Sequence, residues 1–249
     1  MSVRRVGLLV PFRELPGEIA DVVAAAAEPA AQWQVVTESA DSHDIPELLR
    51  TGADEPLLDG LERMLRWRPD VVAWACTSGS FAGGRAWALA QARTLERAAG
   101  VPVTSTSLAF VEALAALGVG AVSVVSPYPE PATAAFAAFL EEWGITVRAS
   151  THLGYPGGAE SSLLDPREVA DAIDAVVSDV PVLLPDTAVW GFELRRELAP
   201  RVPVPLIVAN QVTLWHAFGL AGMSTDVEAF AELRGIRPSG LTAGAHATA

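Results

Sequence analysis

The residue type best suited to covalent chemistry occurs once in this chain: Cys76 is the single cysteine among 249 residues. It closes the apolar run Val71-Val72-Ala73-Trp74-Ala75 and is followed by Thr77-Ser78-Gly79-Ser80-Phe81, where a helix opens. A thiol at such a turn meets free backbone N–H groups and the positive end of a helix dipole, both of which favour the thiolate. The competing reading is a small buried hydrophobe, the ordinary fate of an unpaired cysteine. The hydroxyls of Thr77 and Ser78 are suited to holding a carboxylate, and equally to capping the helix. Tyr128, at the end of a second apolar run, offers a hydroxyl or simply a packed ring.

Positioning these groups requires an α/β fold. Short runs that are apolar on both faces (Val6 to Val10, Val71 to Ala75, Val101 to Thr104, Ala121 to Ser126, Val182 to Leu184, Pro205 to Ala209) suit buried parallel strands. Helical patterns separate them at Pro56 to Trp67, Gly84 to Ala99, Leu108 to Leu117, Pro131 to Trp143, Pro166 to Val177 and Val212 to Leu220. Asp165-Pro166 starts one helix, and Gly100, Gly118 and Gly144 follow others where a left-handed cap is expected.

The pattern also repeats. Val3 to Pro11 echoes Gly120 to Tyr128, Asp70 to Ser78 echoes Val180 to Ala188, and Val101-Pro102-Val103 with Leu108 to Gly118 echoes Val204-Pro205-Leu206 with Val212 to Gly222. The expectation is two similar Rossmann-like lobes with parallel sheets, related by a pseudo-twofold axis, with a cleft between them. The first lobe takes residues 1–117 plus 210–249, the second 118–209. Ligands of open parallel sheets bind beyond the carboxyl ends of the strands, which places the site at Pro11 to Glu14, Cys76 to Ser80, Ser126 to Tyr128 and Asp186 to Ala188.

Composition narrows the partners. Lys plus Arg total 17 against 30 Asp plus Glu, and no basic stripe gathers anywhere, so nucleic acid is an unsuitable partner. No apolar run reaches the length needed to span a bilayer, the start of the chain is a strand rather than a signal segment, and one cysteine cannot form an internal disulfide. A cytoplasmic protein with no membrane partner is expected. His43, His152, His216 and His246 show no metal-ligand spacing, and His216, inside an apolar helix, reads as a core histidine. No dinucleotide or P-loop fingerprint is present. Gly154 to Gly158 makes a loop fit to cover the cleft, and residues from Gly235 onward read as a loose tail.

Taken in order, Val6-Gly7-Leu8-Leu9-Val10-Pro11, Ala75-Cys76-Thr77-Ser78, Pro102-Val103-Thr104-Ser105-Thr106 with Val111-Glu112-Ala113-Leu114, and Ser126-Pro127-Tyr128 resemble the Asp/Glu racemase superfamily, in its branch of maleate cis-trans isomerases and arylmalonate decarboxylases. That resemblance implies no metal or organic cofactor, a small carboxylic acid as substrate, and a homo-oligomer. It assigns Cys76 as nucleophile and Thr77, Ser78 and Tyr128 as donors to a substrate carboxylate. Such donors hold an enediolate more tightly than the ground state and so lower the barrier.

Two departures stand out. Where the family has a second-lobe cysteine, this chain reads Leu184-Pro185-Asp186-Thr187-Ala188. Asp186 is either an acid coupled to Cys76 across the cleft or a structural partner of Arg195 or Arg196, with Thr187 and Ala188 beside it at the substrate. In the first loop, Glu14 stands nearest the position of a family Asn. With Pro11, Phe12 and Arg13 it would contact the acid, Glu14 repelling a second carboxylate and Arg13 attracting one. Phe12 and Trp190 are placed to line an apolar pocket. The expected reaction is isomerisation at carbon next to a carboxylate, with decarboxylation of a substituted malonate as the alternative and a non-catalytic carboxylate sensor as the third.

Overall fold

A computed structural model describes residues 2–11, 13–37 and 41–238. The first half runs β1 (Arg4–Val10), α1 (Glu18–Ala24), β2 (Ala30–Val36), α2 (Ile45–Thr51), α3 (Asp54–Leu65), β3 (Val71–Trp74), α4 (Thr77–Phe81), α5 (Gly84–Ala99), β4 (Val103–Ser105) and α6 (Thr106–Ala116). The second runs β5 (Ala121–Ser126), α7 (Glu130–Glu142), β6 (Thr146–His152), α8 (Gly158–Ser161), α9 (Pro166–Val176), β7 (Val182–Leu184), α10 (Gly191–Leu198), β8 (Leu206–Val208) and α11 (Ala209–Leu220).

Each half builds a four-stranded, all-parallel sheet, in the orders β2-β1-β3-β4 and β6-β5-β7-β8. The repeat in the sequence is therefore a repeat in space: β1 corresponds to β5, β3 to β7 and β4 to β8. The central strands are buried along nearly their whole length, Val71–Trp74 and Val182–Leu184 among them, because helices cover both faces of a parallel sheet. The edge strand β6 alternates exposed and half-buried residues instead. Gly100, Gly118 and Gly144 take φ of +66°, +66° and +76°, the left-handed conformation that ends a helix at little cost for glycine. Asp165 caps α9 through the Arg167 N–H.

One apolar core joins the halves, with Val6, Leu8 and Phe81 in the same cluster as Val124, Tyr128 and Leu183. Phe81 of α4 packs on Tyr128 and Phe136 of the second half at 5.8 and 5.1 Å, so the helix that follows Cys76 is seated on the opposite lobe. α11 lies against α6, β3 and β4, and Thr106 and Thr213 hydroxyls meet at 2.8 Å between those two helices. Glu18 of α1 accepts the Phe192 and Glu193 N–H groups of α10, a second tie across the pseudo-twofold. Of the tail expected from Gly235, the described part is tied to the fold, since the Ile236 carbonyl accepts the Trp215 indole N–H at 2.8 Å. Residues 239–249 lie outside the described residues. No described helix is long and apolar enough to cross a membrane.

His216 is the core histidine its surroundings suggested. Nδ1 meets the Thr104 hydroxyl at 2.9 Å, Nε2 is buried without a partner, and burial holds the ring down at about 3 against an ordinary 6.5. The unfolded chain takes up this proton below 6.5 and the folded chain does not until about 3, so folding stability falls as pH falls through that window. The urea midpoint of the wild type is expected to drop between those limits by more than that of His216→Gln. Equal drops would remove His216 from the acid response.

Candidate active site

Cys76 is the N-cap residue of α4, in extended backbone (φ −144°, ψ 115°), and its Sγ accepts the Gly79 N–H at 3.3 Å with the Ser78 hydroxyl at 3.8 Å. Ser80 ties the turn down by donating to the Cys76 and Thr77 carbonyls, and Trp87 and Gln91 both donate to the Gly79 carbonyl. The sulfur is thus held by a turn that is itself held from below.

The thiol does not behave as the turn alone suggests. Cys76 is 4% exposed, and burial pushes it up to about 12, with the Gly79 and Ser78 donors acting in the opposite direction and nearby Asp186 adding to the rise. Loss of hydration outweighs the dipole of a five-residue helix. The thiol is protonated at rest, and it lines a narrow cavity with little of its own surface exposed.

That cavity, about 30 Å³, is lined by Pro11, Arg13, Glu14, Asp41, His43, Cys76, Thr77, Ser78, Gly158, Asp186, Thr187 and Ala188 among others. Of the residues expected to act on the acid, Pro11, Glu14, Cys76, Thr77, Ser78, Asp186, Thr187 and Ala188 line one space, whereas Gly79, Ser80, Ser126, Pro127, Tyr128 and Trp190 are not part of its lining. Phe12 lies outside the described residues. Tyr128 stands behind the lining, wholly buried, with its ring edge-on to His43 at 4.6 Å. Its hydroxyl makes no hydrogen bond of good geometry, although the Thr77 and Ser78 side chains are near enough to act on it. Burial raises it well above its ordinary 10, Asp186 and Cys76 add to the rise, and the Thr77 and Ser78 hydroxyls oppose it.

Asp186 faces the site and not the arginines, which are engaged elsewhere: Arg195 pairs with Glu232 and Arg196 with Glu193. Its Oδ1 accepts the Ala188 N–H at 2.9 Å, its Oδ2 accepts the Ser161 hydroxyl at 2.6 Å, and its own N–H donates to Thr77 Oγ1 at 3.2 Å. Its φ of +97° is outside the range an ordinary side chain adopts without strain, a cost of roughly 1–3 kcal/mol that surrounding contacts must offset. Thr187 donates to the Ala75 carbonyl, binding this turn to the strand that carries Cys76.

His43 is the residue that spacing did not reveal. It is 6% exposed, its Nδ1 lies 2.8 Å from the Tyr155 carbonyl and its Nε2 3.8 Å from Asp186 Oδ2. It follows β2, an edge strand whose residues Ala30–Val36 carry too little apolar alternation to be noticed, so the loop beyond it was not counted among the strand ends. Trp190 does not line the Cys76 cavity itself: it is 44% exposed and borders two outer grooves, one of which it shares with Arg13, Glu14 and Ala188 of the cavity rim.

The expected Gly154 to Gly158 loop reaches the cavity at Gly158 and forms a strap held by neighbouring loops. Asp41 accepts the Gly158 and Ala159 N–H groups at 2.6 and 2.9 Å, Arg13 donates to the Gly158 carbonyl at 2.8 Å, and the His43 N–H donates to the Pro156 carbonyl at 2.7 Å. A space of about 30 Å³ has room for about two waters.

Comparison with known proteins agrees with this architecture. A family model described as arylmalonate decarboxylase matches residues 61–234. The arylmalonate decarboxylase of Bordetella bronchiseptica is 28% identical over 172 residues, 68% of this chain and 72% of that protein. A maleate isomerase of Alcaligenes faecalis is also 28% identical, over 185 residues, 69% of this chain and 71% of the relative. The crystal structure of a maleate isomerase from Pseudomonas putida S16 with maleate superposes with a TM-score of 0.85, at 20% identity, covering 92% of this chain and 96% of the other.

Proposed function

The chain belongs to the arylmalonate decarboxylase family, and from that premise we propose that it is a cofactor-independent isomerase acting at the carbon next to a carboxylate of a small organic acid. The observation that carries this reading is the convergence of Cys76, Thr77, Ser78 and Asp186 on one cavity, backed by a buried Tyr128 hydroxyl that makes no hydrogen bond of good geometry. A buried hydroxyl in that state is expensive to keep, and a substrate oxyanion would satisfy it.

For a cis-unsaturated acid the sequence of events is as follows. The Cys76 thiolate adds to the alkene carbon, and the π electrons move into the carboxylate as an enediolate. The Tyr128, Thr77 and Ser78 hydroxyls donate to that charge. The former double bond, now single, rotates. Collapse of the enediolate expels the thiolate and leaves the trans acid. Both isomers have the same atoms, so no proton enters or leaves the product.

One observation favours a second reading, decarboxylation of a substituted malonate. The resting form of Cys76 is S–H, the form that donates a proton. There, carbon dioxide leaves, the same pocket holds the enediolate, and Cys76 protonates the carbon. Incubation with cis-enedioic and arylmalonic acids in deuterated water separates the two. The isomerase reading expects a trans acid free of solvent deuterium. Release of carbon dioxide with deuterium at the α-carbon would establish the decarboxylase instead, and neither product would defeat both.

A further inference from the structure

A thiol held protonated by burial cannot act as a nucleophile until something takes its proton, and the turn around Cys76 offers only donors and neutral hydroxyls. Two groups in the same cavity are built differently. The Tyr155 carbonyl can only accept, so His43 Nδ1 carries hydrogen and donates to it, which leaves Nε2 as the basic nitrogen. That nitrogen faces Asp186 Oδ2 at 3.8 Å. Asp186 in turn has the Ser161 hydroxyl and Ala188 N–H turned toward it, the surroundings of a carboxylate anion. Two acceptors that face one another form a place for one proton.

We propose that His43 and Asp186 together are the proton acceptor for Cys76, doing in this chain what allows a buried thiol to become a nucleophile. The step balances: the Cys76 S–H bond breaks, its electron pair stays on sulfur, and the proton goes to His43 Nε2 against Asp186. It returns to sulfur when the reaction is over. His43 acts here as a positioning and proton-storing partner at a site whose function rests on the isomerase reading above. The other charged or titratable groups around the ring are Asp41 and Asp44 on its own segment, Arg13 and Glu14 at the cavity rim, and Tyr128 beneath it.

Because Cys76 is the chain's single cysteine, alkylation by iodoacetamide, followed by intact mass, reports on this thiol alone and needs no substrate. In the wild type the logarithm of the alkylation rate is expected to rise with pH, level off over an intermediate range, and rise again only at strongly alkaline pH. A thiolate–imidazolium form at constant fraction produces that plateau. His43→Gln removes the plateau and slows alkylation at neutral pH by about tenfold or more, one factor of ten being about 1.4 kcal/mol, while the rates converge at alkaline pH.

A wild-type profile that climbs without a plateau overturns the assignment, and this holds even if the variant does not fold. Faster or unchanged alkylation in His43→Gln also overturns it, since His43 would then merely pin the strap through Pro156 and Tyr155. A uniform slowing at every pH does the same, as an effect on access. If the plateau is present yet no acid turns over, the functional reading fails while the proton acceptor stands. Cys76-dependent turnover without a plateau fails the acceptor alone.

Discussion

Cys76→Ala is expected to lower kcat/KM by about a thousandfold or more, a loss of roughly 4 kcal/mol of transition-state stabilisation, while the protein remains folded. The reason lies in the two roles open to the sulfur. As thiolate it makes the bond that converts the alkene to a single bond, and as thiol it supplies the proton that a decarboxylation consumes. Alanine does neither, whichever reaction the cavity performs. The structural penalty is small by comparison: the Gly79 N–H loses its acceptor, an N-cap loss of about 1 kcal/mol, at a residue whose volume changes little. Urea denaturation of the same preparation therefore separates the two effects. Turnover within a few-fold of wild type, in a variant of near-native stability, would remove Cys76 from the reaction.

Tyr128→Phe is expected to reduce kcat by about a hundredfold to a thousandfold, the usual effect of deleting one oxyanion donor, without lowering stability. The opposition of the two outcomes is diagnostic. A buried tyrosine that served the fold would have a satisfied hydroxyl, and its removal would weaken the protein. Here the hydroxyl is buried and makes no hydrogen bond of good geometry, so replacing it with hydrogen deletes an unmet desolvation cost and leaves the ring against His43 and Phe81 unchanged. Stability equal to or above wild type, together with slow turnover at little-changed KM, fits a group kept for the transition state. A stability loss with full activity would make Tyr128 a packing residue.

Much of this arrangement was legible in the sequence because the central strands announce themselves. Val71–Trp74 and Val182–Leu184 are apolar at every position since both faces are covered, and the turns that end them carry the chemistry. The repeat then located the second lobe, and glycines at positive φ marked three helix ends. The strand that delivers His43 is hard to read for a physical reason. β2 and β6 are edge strands, partly solvated, and without the first of them there was no reason to look at the loop that delivers His43. The resting state of Cys76 was hidden for another reason: a turn's donors can be read from adjacent residues, whereas the burial that overrides them comes from a cluster that includes Leu9, Val35, Leu57 and Leu61, all distant in the chain.

The cleft's two faces differ in what they bring to the cavity. The first lobe supplies sulfur on a turn braced by Ser80, Trp87 and Gln91. The second supplies a carboxylate at φ +97°, a strained position kept because it brings Asp186 to both Thr77 and His43. The asymmetry suits a reaction in which one group bonds to carbon and the other only manages a proton.

The central claim is that a substrate carboxylate lies among the Thr77, Ser78 and Tyr128 hydroxyls, above Cys76. A crystal structure of Cys76→Ala soaked with a small cis-enedioic acid tests it directly. The acid is expected between the lobes with the strap displaced, one carboxylate oxygen within hydrogen-bond distance of Tyr128 Oη and of a hydroxyl from the Thr77-Ser78 turn. An acid bound elsewhere, or bound in the cleft without a hydrogen bond to the Tyr128 hydroxyl, would contradict it.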